Sequence, residues 1–127
     1  MSSLSFDAPG DHVYVHSASA DGVRVGERVF TSTVVLARQE IIEDWGPQRL
    51  EDISEADFEA LLQRRPEMVL LGTGTEQQFL EPQRQAPFYR HQVGVEVMTT
   101  QAACRTFNVL ALENRDVLAI LLPMTGD

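Results

Sequence analysis

The run Met68-Val69-Leu70-Leu71-Gly72-Thr73-Gly74 decides the fold. A short, wholly apolar stretch closed by a glycine turn reads as a strand buried on both faces. Two similar runs follow, Val93 to Met98 and Val117 to Leu122, the second stopped by Pro123. Helical stretches lie between them. One spans roughly Gln83 to Gln92, with Pro87 disturbing it. The other is capped by Thr99 or Thr100 and runs to about Asn114, with Ala103, Phe107, Leu110 and Ala111 as its core stripe. Short apolar strands joined through helices require crossover connections. Residues 66–123 therefore predict a β-α-β-α-β unit whose strands lie side by side in one direction.

Upstream of this unit, Ser54 and Asp57 have the spacing of a helix-capping pair, and Phe58, Leu61 and Leu62 fall on one face of the helix that follows. Pro66 ends it. Ile41 to Trp45 reads as a strand halted by Gly46-Pro47, and Thr33 to Ala37 as a central strand. Further back, Val13 and Val15 alternate with Tyr14 and His16, and Asp21-Gly22 turns the chain into a second short strand at Val23 and Val25. The expected class is α/β, with mostly parallel pairing in the central sheet, flanking helices and extra N-terminal antiparallel strands. Residues 1–11 read as a flexible terminus, 12–123 as a single domain and 124–127 as a tail.

Composition narrows the function classes. The 127 residues suit one domain, and 43% hydrophobic with 23% charged residues is ordinary for a globular chain. The net charge of −9 repels phosphate backbones and anionic membranes, so nucleic acid is not an expected partner. No apolar run is long enough to span a bilayer, and no membrane insertion is expected. The single cysteine, Cys104, excludes an intramolecular disulfide and suits a reducing compartment. The first ten residues show no secretory signal pattern, and a cytoplasmic location is expected. All ten basic residues are arginines, which excludes a Schiff-base lysine and the lysine of a phosphate-binding P-loop. Every serine lies at or before Ser54, away from any nucleophile-elbow pattern. His12 and His16 lie on a strand, where a spacing of four spans about 13 Å, too far to share a metal. No catalytic residues, metal or cofactor are assigned.

Gly72-Thr73-Gly74 is the most suggestive local feature. It closes a parallel strand, where open α/β sheets place ligands, and glycines there bring backbone N–H donors close to an anion or other small molecule. The dinucleotide fingerprint is incomplete, because Gln77 stands at its third glycine position. The plain alternative is a tight strand-exit turn. Glu96 falls inside an expected central strand, where a carboxylate must be paired or protonated; Arg105 and Arg90 are the candidate partners. Cys104 lies near a helix start, which can activate a thiol, though most free cysteines are small buried apolar residues. If the parallel unit forms, Gly72, Thr73, Gly74, Glu96, Met98, Thr99, Cys104, Arg105 and Asn108 converge at the strand C-termini as a candidate ligand site.

The stretches Glu96-Val97-Met98-Thr99-Thr100 and Ala103-Cys104-Arg105-Thr106-Phe107-Asn108 carry a resemblance. With Gly72-Thr73-Gly74 and the spacing from Glu113 through Arg115, Val117 and Ala119 to Leu121-Leu122-Pro123, the chain is similar to the domain family of mitochondrial respiratory complex I assembly factor 3 and the adipogenesis-associated Mth-like protein. The quoted motifs cover residues 68–123; the N-terminal half matches in pattern, including Trp45. Phe107 departs from the tyrosine common there, so any bond that hydroxyl makes to a ligand or neighbour is missing here. The resemblance implies a three-layer α/β fold around a central mixed sheet. It also implies an assembly or interaction role with a protein partner. A small-molecule-binding domain, with or without a reaction, is the alternative. Monomer and homodimer both stay open.

Overall fold

Strand Val117–Leu121 is buried at every position, which only an interior strand covered on both faces achieves. The sheet is built around it. The computed structural model describes residues 3–5 and 12–125. In chain order the elements are β1 (Ser3–Ser5), β2 (Val15–Ser19), β3 (Gly22–Val25), β4 (Arg28–Phe30), β5 (Val34–Ala37), β6 (Glu40–Ile42), α1 (Glu55–Leu62), β7 (Met68–Gly72), α2 (Ala86–His91), β8 (Gly94–Met98), α3 (Thr100–Leu112) and β9 (Val117–Leu121). Six strands form one sheet in the order β1-β6-β5-β9-β7-β8, and β2-β3-β4 form a second.

The predicted β-α-β-α-β unit is present, with β9, β7 and β8 adjacent and parallel. The expectation of a mostly parallel sheet requires correction. Pairings β1–β6, β6–β5 and β5–β9 are antiparallel, so the sheet is mixed. Parallel strands need crossover connections, which the segments carrying α2 and α3 supply for β7, β8 and β9. The tight turn between Ala37 and Glu40 can join only antiparallel neighbours. A second correction concerns β8, which lies at the edge of the sheet rather than in its centre. Ser3–Ser5 run along β6; the remaining residues of the expected flexible N-terminus, 1–2 and 6–11, lie outside the described residues, as do 126–127 of the tail.

Side-chain alternation divides the core in two. Val117, Ala119 and Leu121 face α3 and the small sheet with Val34, Leu36 and Leu70, whereas Leu118 and Ile120 face α1 and α2 with Val35, Val69 and Leu71. Three layers result: α3 with the small sheet, the six-stranded sheet, and the α1–α2 pair. Each fully buried Leu or Phe contributes about 1.5–3 kcal/mol. The Ser54–Asp57 capping box is complete in both directions, at 3.0 and 2.8 Å. Pro87 starts α2 rather than disturbing it, because a first-turn residue has no helical N–H bond to lose.

Candidate functional site

The corner where β7 ends and α3 begins brings Gly72, Thr73, Gly74, Met98 and Thr99 together at the strand C-termini. Thr73 N–H donates to Met98 O at 2.8 Å, and Thr100 N–H donates to Gly74 O at 2.9 Å. Thr100, fully buried, donates its hydroxyl to Leu122 O at 2.7 Å and accepts from Gly74 N–H at 2.8 Å. Thr73 Oγ1 lies within hydrogen-bond distance of Glu76 O at 2.8 Å and accepts from Gln78 N–H at 3.1 Å. Thr99 caps α3 by accepting from Ala102 N–H at 3.1 Å. The two glycines have separate steric reasons. A Cβ on Gly72 would lie 2.8 Å from Thr100 Cα, so only glycine lets the helix start approach the strand this closely. Gly74 adopts φ +95°, a conformation L side chains rarely take. The Thr73 and Gly74 N–H groups expected to face a ligand are thus already bound within the chain.

A cleft of about 530 Å³ opens beside this corner. Besides Thr73 and Gly74 it is lined by Gln48, Arg49, Glu51, Glu76 and Gln78, and by Thr75 and Thr125, which bond each other through Thr75 Oγ1. Arg49 is paired with Glu51 at 3.0 Å. Sequence reasoning missed Gln48, Arg49 and Glu51, because they reach the rim from the loop after Gly46-Pro47. Only the sheet order, with β6 beside β5 and β5 beside β9, brings that loop there.

The other expected residues disperse. Glu96 requires correction: it is exposed, because β8 is an edge strand, and neither Arg105 nor Arg90 partners it. Arg90 instead pairs with Glu59 at 2.5 Å and Glu55 at 2.9 Å. Glu59 also meets His91 at 2.6 Å, and the hydrogen bonds from Arg90 and His91 hold its carboxyl below the usual carboxylate range. Cys104 is buried in the core under α3, and burial pushes its thiol up to about 12 against a smaller opposing pull from Arg105. Such a thiol is protonated at neutral pH and unsuited to nucleophilic attack. Arg105 is exposed. Asn108, nine residues beyond Thr99, lies roughly 13 Å along the helix from the rim. Its amide bridges the small sheet, accepting from Val15 N–H at 2.8 Å and donating to Val15 O at 2.9 Å. Those bonds hold β2 where its register slips between Val15 and Ser17. Phe107 is fully buried in the apolar core on that side of the sheet.

Polar and apolar groups remain open along β8. Met98 O accepts from Thr73 N–H, so in the parallel ladder with β7 the backbone groups of Gly94, Glu96 and Met98 turn inward and those of Val95 and Val97 outward. Gln77 Nε2 donates to Val97 O at 3.2 Å; the other outward groups have no partner among the described residues. Beside this edge lies a groove of about 520 Å³ lined by Gln77, Gln78, Phe79, Leu80, Gln85 and Val97. Phe79 is 75% exposed and Tyr89, against Gln85, 69%. Among the described residues no helix is long and apolar enough to cross a membrane.

Comparison with known proteins places this fold. Residues 15–122 match the family described as "Protein of unknown function (DUF498/DUF598)". The Mus musculus protein named NADH dehydrogenase (ubiquinone) 1 alpha subcomplex assembly factor 3 is 36% identical over 118 residues, a match covering 91% of this chain and 63% of that protein's length. The crystal structure of a Bordetella parapertussis protein superimposes with a TM-score of 0.83 at 32% identity, covering 91% of this chain and 99% of that one. The solution structure of a Mth938-like domain from Bordetella pertussis gives a TM-score of 0.74 at 28% identity, covering 98% and 94%. Family match, sequence identity and superposition agree, and the chain belongs to the DUF498/DUF598 family, with complex I assembly factor 3 and Mth938-like proteins among its relatives.

Proposed function

We propose that this domain is a protein-interaction module of the assembly-factor type, serving a respiratory or other multisubunit complex. The observation that carries the reading is the Phe79 ring, 75% exposed on the lip of a groove, with the Tyr89 ring also 69% exposed. Large rings held in solvent are favoured contact points for a partner. The name of the mouse relative supports the direction of the proposal. The net charge of −9 favours protein partners over nucleic acid, and a single buried thiol is in keeping with work in the cytoplasm. Cross-linking in the native cell followed by gentle affinity purification tests the reading. Stoichiometric recovery of subunits or assembly proteins of a respiratory complex is expected; recovery of the chain alone rejects it.

The cleft of about 530 Å³ favours a second reading, a domain that binds a small anion or metabolite and acts on it or only holds it. Its contacts would be Gln48, Arg49, Thr73, Gly74, Thr75 and Gln78 rather than Glu96, Cys104 or Asn108. A ligand at about 100 times its dissociation constant would add roughly 2.7 kcal/mol to stability. A metabolite panel read by thermal shift checks this, and a flat response across the panel removes it.

A further inference from the structure

We propose that β8 takes up an extended segment of a protein partner as a seventh strand, and that this segment alternates apolar and basic residues. The inference rests on the interaction reading and specifies its surface.

Four observations converge on this edge. Val95 and Val97 direct their backbone groups away from β7, and only Val97 O is occupied, by the Gln77 side chain. Such a row of open donors and acceptors is a template for another extended chain. The side chains of Val95 and Val97 pack toward the α1–α2 layer and leave the groove beside Phe79 and Leu80. Every second residue of an added strand would face that groove and must be apolar. On the opposite face Glu96 presents an exposed carboxylate with no ion-pair partner among the described residues. The intervening residues of the added strand would meet it, and a positive charge is the favourable choice. The chain's net charge of −9 extends the preference for a basic segment.

A second copy of this chain is the poorer occupant. The antiparallel register that uses both Val95 and Val97 sets Glu96 directly opposite its own counterpart, and facing like charges destabilise a strand pair. Gln77 adds a gate, since its amide must release Val97 O before a full ladder forms. Edge strands are commonly guarded by such polar blocks against indiscriminate pairing.

The test uses the whole chain and two short synthetic peptides, one alternating valine with arginine and one alternating valine with glutamate. Amide chemical shifts are followed by NMR during titration. The basic peptide is expected to shift Val95, Val97 and Phe79, with the acidic peptide weaker by about tenfold or more. Glu96→Lys should reverse that order. Val95→Pro removes an outward N–H without touching the β7 ladder, and should weaken the basic peptide by about tenfold while the circular dichroism stays unchanged. Equal binding of both peptides, shifts confined to another surface, no binding by either peptide, or a β8-mediated dimer abolished by Val95→Pro would each overturn the proposal. Partner recovery from the native cell, repeated with Glu96→Lys and Val95→Pro, keeps the two readings apart. A partner retained by both variants overturns the edge-strand inference and leaves the interaction role standing. A wild-type chain that recovers nothing removes the interaction role itself.

Discussion

The glycine-threonine corner and the β8 edge are one strand apart, yet they handle their polar groups in opposite ways. At the corner, the Thr100 hydroxyl links Gly74, just past β7, to Leu122 at the end of β9, and both of its bonds are buried. At the edge, the outward groups of Val95 and the N–H of Val97 have no partner among the described residues, and Phe79 stands in solvent. The corner carries the sequence pattern that looks like a binding motif, and its bonds are closed. The edge reads in sequence as an ordinary strand, and its bonds are open. A suggestive motif is therefore better judged by where its donors end than by the residues that spell it.

Perturbing the corner should give the largest effects. Thr100→Val keeps the shape but strips partners from Gly74 N–H and Leu122 O, and should cost about 3 kcal/mol by urea unfolding. A loss under about 1 kcal/mol would show that water replaces the hydroxyl and would blur the contrast with the edge. Gly72→Ala places a methyl 2.8 Å from the Thr100 backbone and should cost about 2 kcal/mol, with α3 shifted outward in a crystal structure. Hydrogen exchange then compares the two regions in one experiment. The Gly74 amide should exchange only through near-global opening, whereas the Val95 and Val97 amides should exchange early. Comparable protection at all three would break the comparison. Glu96→Lys and Phe79→Ser at the edge should change stability by less than about 0.5 kcal/mol, so any loss of partner binding in them is a direct effect.

Local chemistry made much of the fold legible. The Ser54–Asp57 cap, the Phe58-Leu61-Leu62 stripe, the hairpin turn before Gly22 and the parallel alignment of β7, β8 and β9 are all consequences of near neighbours or of connection length. Sheet order was not legible in the same way. Nothing in Val34–Ala37 announces that it will lie antiparallel to β9, and that one pairing joins the antiparallel strands to the parallel ones in a single sheet. The same ignorance misplaced Glu96, because an apolar run such as Val93 to Met98 reads alike in the middle of a sheet and at its margin. Two valines flanking Glu96 pack on one face only, and the other face meets solvent. Of the expected site residues, Gly72, Thr73, Gly74, Met98 and Thr99 meet because each sits at a strand end or helix start. Cys104 and Asn108 were grouped with them by sequence proximity, but the helix carries them away from the rim toward the core and β2. The Asn108 bridge needed knowledge of which strand passes under α3, and no local signal supplies that.

Among the described residues, strand β9 is the sole seam between the antiparallel strands β1, β6 and β5 and the parallel strands β7 and β8. It is also the last of them in sequence, at Val117–Leu121. Because β9 is made after them, the two half-sheets cannot be joined into one sheet until it is available. Closure waits for a five-residue insert that must bond both sides at once, antiparallel to β5 and parallel to β7. Such non-local closure is slow relative to hairpin formation, because the entropy of bringing distant segments together precedes the contacts that reward it.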